Sequence, residues 1–209
     1  TQAITKASFL VTDVVELAQT IKKAFYIATS GRKGPVLVDI PSDIQKHETI
    51  FDYPESLKDL AISGIDQNYP TQNQNAPFFD LLRQAKKPLI LSGGGVLRSS
   101  AVEQVNRFSR KFNIPVVTTL QGHGVYPGED LYLSGIGMHG SVYGNYAMQQ
   151  TDLLIGLGVR FSDRITGNRE TFCRNAKIVQ VDIDPAEINK NIQVDVPIIG
   201  NIGQILDEW

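Results

Sequence analysis

The chain has 209 residues, of which 42% are hydrophobic and 20% are charged, and its formal net charge at pH 7 is −2. These values are typical of a globular protein of one domain or slightly more, and they give no electrostatic reason to expect a nucleic acid or an anionic membrane as a partner. The apolar runs are shorter than the roughly 18 residues of a membrane-spanning helix, and the first residues lack the pattern of a signal peptide.

The first elements predicted in chain order are a helix and a strand. Apolar residues recur at a spacing of three and four over residues 13–29, which predicts an amphipathic helix with Asp13 and Glu16 as an N-terminal capping arrangement. Phe25 belongs to this apolar face. The run PVLVDIP at 35–41 predicts a buried strand. A helix followed by a strand is the second half of an α/β repeat, so we expect the chain to be a piece of a longer protein.

A change of composition predicts where the domains meet. From residue 43 to residue 76 the sequence is polar, rich in Asn, Gln and Pro, and without a sustained period. We therefore predict a linker over 47–75, which separates a partial α/β segment at 1–46 from a domain at 76–209.

The second domain alternates helices with short apolar strands. This alternation predicts the α/β class, with a Rossmann-like parallel sheet and helices on both faces. The predicted strands are 88–92, 115–120, 152–158, 177–183 and 194–199. The predicted helices are 77–86 with Pro77 in first position, one that begins at Ser100 with Glu103 three residues later, 141–150, and one that runs to the end of the chain.

Glycines mark the ends of the predicted strands, where open parallel sheets bind their ligands. The segments are SGGG at 92–95, TTLQGHG at 118–124 and GVRFSDR at 158–164. Glycine permits the close backbone approach of a flat or phosphorylated ligand. However, GGGVLRSS does not match the G-x-G-x-x-G fingerprint of dinucleotide-binding folds, so a plain strand-to-helix turn stays an alternative there.

Two aspartates at the end of the strand at 177–183 have different predicted roles. Asp184 precedes Pro185 and then Glu187, which is the arrangement of a helix N-cap. Asp182 has no such local task, and an acid at a strand end can accept hydrogen bonds from the hydroxyls of a ribose.

The charged and histidine-containing loops allow more than one interpretation. Arg160 and Arg164 have the planar guanidinium that suits phosphate and carbonyl groups, but surface ion pairs are an alternative, and Asp163 can pair with either arginine. His139 lies between glycines before a helix, where it either packs on a ligand or is simply exposed.

Other chemistry finds no support in the sequence. The three histidines, His47, His123 and His139, lack the partner spacing of a metal site. The single cysteine, Cys173, cannot form an internal disulfide, which favours a reducing compartment, and no catalytic signature surrounds it. We therefore predict no metal site and a structural or incidental role for Cys173.

Several stretches together resemble one enzyme family. The runs GRKGPVLVDIPSDIQ, LSGGG, IPVVTTLQGHG, GIGMHGS, DLLIGLGVRFSDRITGN and VQVDIDPAEINK are similar, in order and spacing, to the catalytic large subunit of acetohydroxyacid (acetolactate) synthases. The similarity extends over essentially the whole chain. It implies the end of the family's pyrimidine-binding domain followed by its central domain.

The resemblance implies an activity, cofactors and partners. Family members use thiamine diphosphate and Mg²⁺ to join two pyruvates, or pyruvate and 2-oxobutanoate, with loss of carbon dioxide, at the start of branched-chain amino acid synthesis. Their central domain binds FAD as a structural cofactor. The resemblance further implies a homo-oligomer (dimer or tetramer), a small regulatory subunit, and a cytoplasmic location, or a plastid or mitochondrial one in a eukaryote.

The resemblance also assigns candidate FAD contacts by motif match. These residues are Gly93, Gly94, Gly95, Thr118, Thr119, Leu120, Gly137, Met138, His139, Gly140, Gly158, Val159, Arg160, Asp163, Arg164, Ile165, Asp182 and Ile183.

The sequence departs from the family pattern at several points. Ser162 precedes Asp163 where the family usually has two acids, and Asn201 stands where an acid commonly follows glycine. The family's activating glutamate and its GDG metal-binding segment do not occur in these 209 residues, so we expect no catalytic residues here and no activity from this piece alone. Two alternatives stay open: another thiamine-dependent enzyme, of the pyruvate oxidase or oxalyl-CoA decarboxylase type, and a non-catalytic nucleotide-binding module.

Overall fold

The computed structural model describes residues 1–56, 75–128 and 130–209. The chain divides into two compact units, Thr1–Asn68 and Tyr69–Trp209. The division falls inside the predicted linker, of which residues 57–74 lie outside the described residues, as does Glu129 in the loop after the second predicted strand of the larger domain. The predicted domain bounds stay predictions.

The first unit is a β-α-β unit built around a two-stranded parallel sheet. Its elements are strand β1 (Ala7–Leu10), a 3-10 turn (Val14–Glu16), helix α1 (Leu17–Thr29) and strand β2 (Val36–Asp39). Strand β1 pairs in parallel with β2, with Ala7 opposite Val36. The Asp13 carboxylate accepts a hydrogen bond from the amide of Val15, which confirms its capping role.

The first unit does not begin with the predicted helix, because strand β1 precedes it. Two further expectations are also wrong. The strand at 35–41 is not buried, because its residues alternate between half-buried and exposed. Phe25, which the helical spacing places on the apolar face, is 68% exposed. The reason is the same for both: within the described residues of this unit one helix covers a two-stranded sheet, and α1 buries Ala24 and Ile27 instead.

The second unit contains a six-stranded sheet in which every pair of neighbours is parallel. The strands are β3 (Pro88–Ser92), β4 (Val116–Thr118), β5 (Tyr132–Gly135), β6 (Leu153–Leu157), β7 (Lys177–Asp182) and β8 (Val196–Ile199). Their order across the sheet is β5-β4-β3-β6-β7-β8. The chain therefore runs outward to one edge, returns to the centre and runs outward to the other edge. This is the doubly wound order of nucleotide-binding folds, and it reverses between β3 and β6.

Helices and irregular segments cover both faces of this sheet. The helices are α2 (Asn75–Gln84), α3 (Gly94–Arg98), α4 (Val102–Phe112), α5 (Val142–Gln150), α6 (Asp163–Thr166) and α7 (Ile202–Glu208). On one face, Ile90 packs in a cluster with Phe78 of α2, Phe108 of α4 and Trp209, and the rings of Phe78 and Trp209 stack 3.9 Å apart. On the other face, Leu89 and Leu91 pack with Met148 of α5, Phe161 and Phe172. The predicted α/β class with helices on both faces is confirmed.

Most predicted elements of this unit are present, and the differences lie in short segments. The sequence does not predict strand β5, at the sheet edge, because its four residues, YLSG, end in Ser134 and Gly135 and carry little strand pattern. The short helices α3 and α6 were also missed. Strand β4 ends at Thr118 rather than at residue 120, and a 3-10 turn follows over Leu120–Gly122.

Two predicted helix starts need correction. Helix α4 begins at Val102, and its N-cap residue, Ala101, makes no side-chain capping bond. Ser100 has a φ of 57°, which places it in the turn between α3 and α4 rather than in a capping box. Helix α2 begins at Asn75, so Pro77 is its third residue, a position where the missing amide hydrogen still leaves no intrahelical bond unmade.

Candidate functional site: the carboxyl edge of the parallel sheet

All the candidate residues lie at one edge of the second unit, because the carboxyl ends of parallel strands meet there. The ends of β3 and β6 stand side by side at the point where the strand order reverses, with Ser92 opposite Leu157. In doubly wound folds a ligand occupies the crevice at this point.

The glycines after β3 are required by the packing of the protein itself. The amide of Gly93 donates to the carbonyl of Leu157 (2.9 Å), and the amide of Gly95 donates to that of Gly158 (3.1 Å). A Cβ added to Gly93 would lie 2.2 Å from the Gly158 oxygen, and one added to Gly95 would lie 2.6 Å from the Gly158 Cα. The lack of a side chain at these positions therefore allows the ends of β3 and β6 to touch, independently of any ligand. Gly94 is held similarly, since its Cβ would lie 2.9 Å from that of Gln121.

The end of β4 is mostly engaged within the fold. The hydroxyl of the buried Thr118 is 2.9 Å from the Tyr132 hydroxyl and 3.2 Å from Nδ1 of His123. Thr119 is also buried, and its amide donates to the Ser92 carbonyl (3.0 Å). Leu120 is exposed, so of the three residues predicted here it has the side chain most accessible to a ligand.

A cavity of about 480 Å³ lies between the loop after β5 and helix α6. Five of the predicted residues line it: Gly137, Met138, Asp163, Arg164 and Ile165. The two loops touch, because a Cβ on Gly137, whose φ is 94°, would lie 2.6 Å from the Arg164 carbonyl oxygen. The structure thus brings together residues from two distant predicted motifs.

Sequence reasoning missed Asn145, which also lines this cavity. Its Oδ1 accepts from the Gly137 amide (2.9 Å), and its Nδ2 donates to the Gly137 carbonyl (3.1 Å). The side chain therefore holds both polar backbone groups of one glycine. No local pattern marks an asparagine inside a helix for this role, since the partner lies in the preceding loop.

The GMHG turn presents its two side chains outward. The amide of Gly140 donates to the Gly137 carbonyl (3.0 Å), which closes the turn, and a Cβ on Gly140 would lie 2.5 Å from the Ile136 Cα. Met138 is 70% exposed and His139 is exposed. Both side chains are therefore accessible to a ligand, and Met138 also lines the cavity.

The loop after β6 combines an unusual backbone with charged side chains. Gly158 and Phe161 have φ values of 59° and 48°, and Phe161 is buried with its ring 6.0 Å from that of Phe172. Val159 between them is buried, whereas Arg160 is exposed. Burying Phe161 offsets its left-handed conformation, which costs on the order of 1–3 kcal/mol.

The alternative in which Asp163 pairs with an arginine is not seen among the described residues. Within the described parts of the chain, neither Arg160 nor Arg164 forms an ion pair, and Asp163 forms none either. Asp163 and Arg164 instead form the first turn of α6. Both guanidinium groups are exposed, and no carboxylate of the described residues neutralises their charge.

At the end of β7 the predicted cap at Asp184 is confirmed, whereas the expectation that Asp182 has no local task is wrong. Asp184 caps the 3-10 turn Pro185–Glu187, since its Oδ1 accepts from the Ala186 amide (2.9 Å). Asp182 is 8% exposed, and its Oδ1 accepts from the Asp184 amide (3.0 Å). Ile183 between them is half-buried. The ribose role of Asp182 stays a prediction.

Other chemistry is absent from the described residues or disfavoured by them. No three His, Cys, Asp or Glu side chains among them gather as a metal site would require. No helix within the described ranges combines the length and apolarity needed to cross a membrane. Burial raises the pKa of the Cys173 thiol to about 12, and its Sγ donates to the Met148 carbonyl (3.0 Å), which suits a packing role rather than a nucleophile.

Comparisons with known proteins show the family of the chain. Residues 76–209 match the family model described as "Thiamine pyrophosphate enzyme, central domain". The chain is 41% identical over 209 residues to the acetolactate synthase large subunit of Haemophilus influenzae, covering 99% of this chain and 36% of that protein. It is 43% identical over 203 residues to the chloroplastic acetolactate synthase of Arabidopsis thaliana, covering 97% of this chain and 30% of that protein.

A third relative matches the chain over a similar length. The acetolactate synthase large subunit of Corynebacterium glutamicum is 42% identical over 207 residues, covering 99% of this chain and 33% of that protein. The chain thus spans about a third of the length of the curated relatives it matches. It belongs to the thiamine pyrophosphate enzyme family, and residues 76–209 form the family's central domain.

Proposed function

We propose that the chain is the central part of an acetolactate synthase, which joins two pyruvates, or pyruvate and 2-oxobutanoate, with loss of carbon dioxide. One observation carries this proposal: relatives with that name, from bacteria and from a plant, are 41–43% identical over 97–99% of the chain. Thiamine diphosphate supplies the chemistry that activates the first 2-oxo acid. Its binding groups, and Mg²⁺, belong in this proposal to parts of the relatives that the chain does not match, so the chain alone is inactive.

The role proposed for these 209 residues is to bind FAD along the carboxyl edge of the six-stranded sheet. The supporting geometry is the reversal of strand order between β3 and β6, where such folds bind nucleotides. The residues present fit this ligand. Asp182 ends β7 beside Gly158, in the place where an acid meets a ribose. The guanidinium groups of Arg160 and Arg164, which form no ion pair within the described residues, suit phosphate and flavin carbonyl oxygens.

In this proposal the flavin ring occupies the cavity between the loop after β5 and α6. Its lining combines Met138, Ile165 and Phe172 with the polar Asn145 and Arg164. Ligand sites typically place a few polar groups on mostly apolar walls in this way. In this proposal FAD is structural, and the full enzyme is a homo-oligomer with a small regulatory subunit, located in the cytoplasm or, in a eukaryote, in an organelle.

A titration of the chain with FAD, followed by flavin fluorescence with ADP as competitor, tests the binding proposal. We expect saturable binding of FAD and weaker binding of ADP, because the flavin half adds contacts at the cavity. Equal affinity for the two would instead indicate a non-catalytic nucleotide module. The activity is tested on the full-length enzyme with pyruvate: 2-acetolactate as the product supports the proposal, and acetyl phosphate or acetate contradicts it.

A further inference from the structure

Three successive carbonyl groups after β6 are each held by a different element. The Gly158 carbonyl accepts from the Gly95 amide (3.1 Å). The Val159 carbonyl accepts from Nε2 of Gln180 (3.1 Å), and the Arg160 carbonyl accepts from Nδ2 of Asn191 (2.8 Å). A loop with two left-handed residues, Gly158 and Phe161, is therefore fixed at every intervening carbonyl.

The two side-chain donors come from one segment. Gln180 lies in β7, is 1% exposed, and donates a second hydrogen bond to the Glu187 carbonyl (3.3 Å). Asn191 lies a few residues further on, after the 3-10 turn that Asp184 caps. The same turn holds Asp182, whose carboxylate accepts from the Asp184 amide. The segment from Gln180 to Asn191 thus contains the acid and bonds the backbone of the arginine proposed to bind the cofactor.

We propose that Asn191, supported by Gln180, is a positioning residue of the cofactor site. It holds the backbone of Arg160, so that the arginine side chain starts from a fixed point of the loop relative to Asp182. A loop that is mobile before binding loses conformational freedom when the ligand binds, and fixing its backbone beforehand lowers that cost. This inference rests on the proposed binding of FAD.

The decisive substitution is Asn191→Asp, which keeps the size of the side chain, removes its two amide hydrogens and sets a carboxylate against the Arg160 carbonyl. We expect FAD to bind about tenfold more weakly, in line with the loss of a hydrogen bond and an added repulsion. Asn189→Gly is the matched control. Asn189 lies in the same segment, bonds only the Val194 amide (2.9 Å) in the described residues, and has a φ of 58° that glycine adopts without strain.

A double-mutant cycle separates positioning from general support of the fold. If Asn191 acts through the Arg160 side chain, Asn191→Asp has little further effect on FAD affinity once Arg160→Ala is present. The thermal midpoint of the FAD-free protein is measured for every variant, and Asn191→Ala replaces the aspartate variant if the latter unfolds. We expect the control to bind FAD within about twofold of the unmodified chain, since it leaves the Arg160 carbonyl bond intact.

The outcomes are distinguishable. Unchanged FAD affinity in both Asn191 variants, or a loss of the same size with and without Arg160→Ala, overturns the inference while the proposed function stands. No saturable binding of FAD to the unmodified chain overturns the proposed binding function first, and the positioning role with it.

Discussion

The two units of the chain are built from the same β-α-β pattern, yet one buries its strands and the other does not. In the second unit β3 and β6 are almost fully buried, whereas β1 and β2 alternate between half-buried and exposed residues. Parallel strands are buried only when layers cover both faces of the sheet. The second unit has both layers in its described residues, and those of the first have one helix. A sequence can therefore specify that two strands pair without also specifying that they are buried.

The largest expected effect contrasts two phenylalanines. Phe78→Ala should lower the free energy of unfolding of the second unit by about 3–5 kcal/mol, because Phe78 is 0% exposed and stacks on Trp209. Phe25→Ala should change the stability of the first unit by less than about 0.5 kcal/mol, since that ring is mostly exposed. Urea unfolding followed by circular dichroism measures both. Equal losses would show that the first unit has a core that the described residues do not reveal.

The next effect concerns the ligand. FAD at about one hundred times its dissociation constant should stabilise the second unit by about 2.7 kcal/mol, because a ligand that binds only the folded state shifts the unfolding equilibrium. The proposed site lies wholly in that unit, so cleavage within the first unit under limited proteolysis should be unaffected. Protection of the first unit by FAD would show that the two units share the site.

A smaller effect contrasts two glycines. Gly95→Ala should cost about 1–3 kcal/mol, because the added Cβ would lie 2.6 Å from the Gly158 Cα and backbone atoms must move. Gly34→Ala in the first unit should stay within about 0.5 kcal/mol, because its Cβ meets only methylene groups of the Lys6 side chain, at 3.2 Å, which need to shift by a few tenths of an ångström rather than move backbone. Thermal unfolding of the two variants compares them. An unchanged stability of Gly95→Ala would mean that the ends of β3 and β6 can separate at little cost in free energy.

The smallest effect is electrostatic and depends on pH. Burial alone would raise the pKa of Asp195, but hydrogen bonds from Lys177 Nζ (2.7 Å) and the Ile178 amide (2.8 Å) outweigh it and hold the pKa below its usual value. A depressed carboxyl pKa contributes stability above the unfolded-state value near 4, and this contribution is lost as the pH falls through the lower folded-state value.

Asp195→Asn should therefore cost about 0.5 kcal/mol at pH 7, since the pair is largely exposed, and should flatten the fall in stability below about pH 4. Urea midpoints measured between pH 3 and 7 test this. Asp207→Asn, at another exposed ion pair with Arg107, is the control for a general change of charge. If the stability of Asp195→Asn falls below about pH 4 as steeply as that of the unmodified chain, the assignment to Asp195 is contradicted.

The sequence by itself determined the features that depend on neighbouring residues. The strands at 88–92, 152–158, 177–183 and 194–199, the helix after Ser141 and the cap at Asp184 follow from apolar period and from side chains that bond amides two or three residues on. The family resemblance was likewise readable from ordered local motifs. Because the strands are parallel, their sequence also implied that the candidate residues would meet at one edge of the sheet.

Only the tertiary structure decided which surfaces are covered and which loops touch. PVLVDIP and PLILSG look equally apolar, but burial depends on layers contributed from elsewhere in the chain. The glycines after β3 were predicted to allow a ligand to approach, and the structure shows that they allow the close approach of Gly158. Asn145, Gln180 and Asn191 bond backbone groups that are remote in sequence or in the preceding loop, so no period or spacing marks them. Contacts of this kind cannot be predicted from a local sequence pattern, because the role of each side chain depends on a partner outside that pattern.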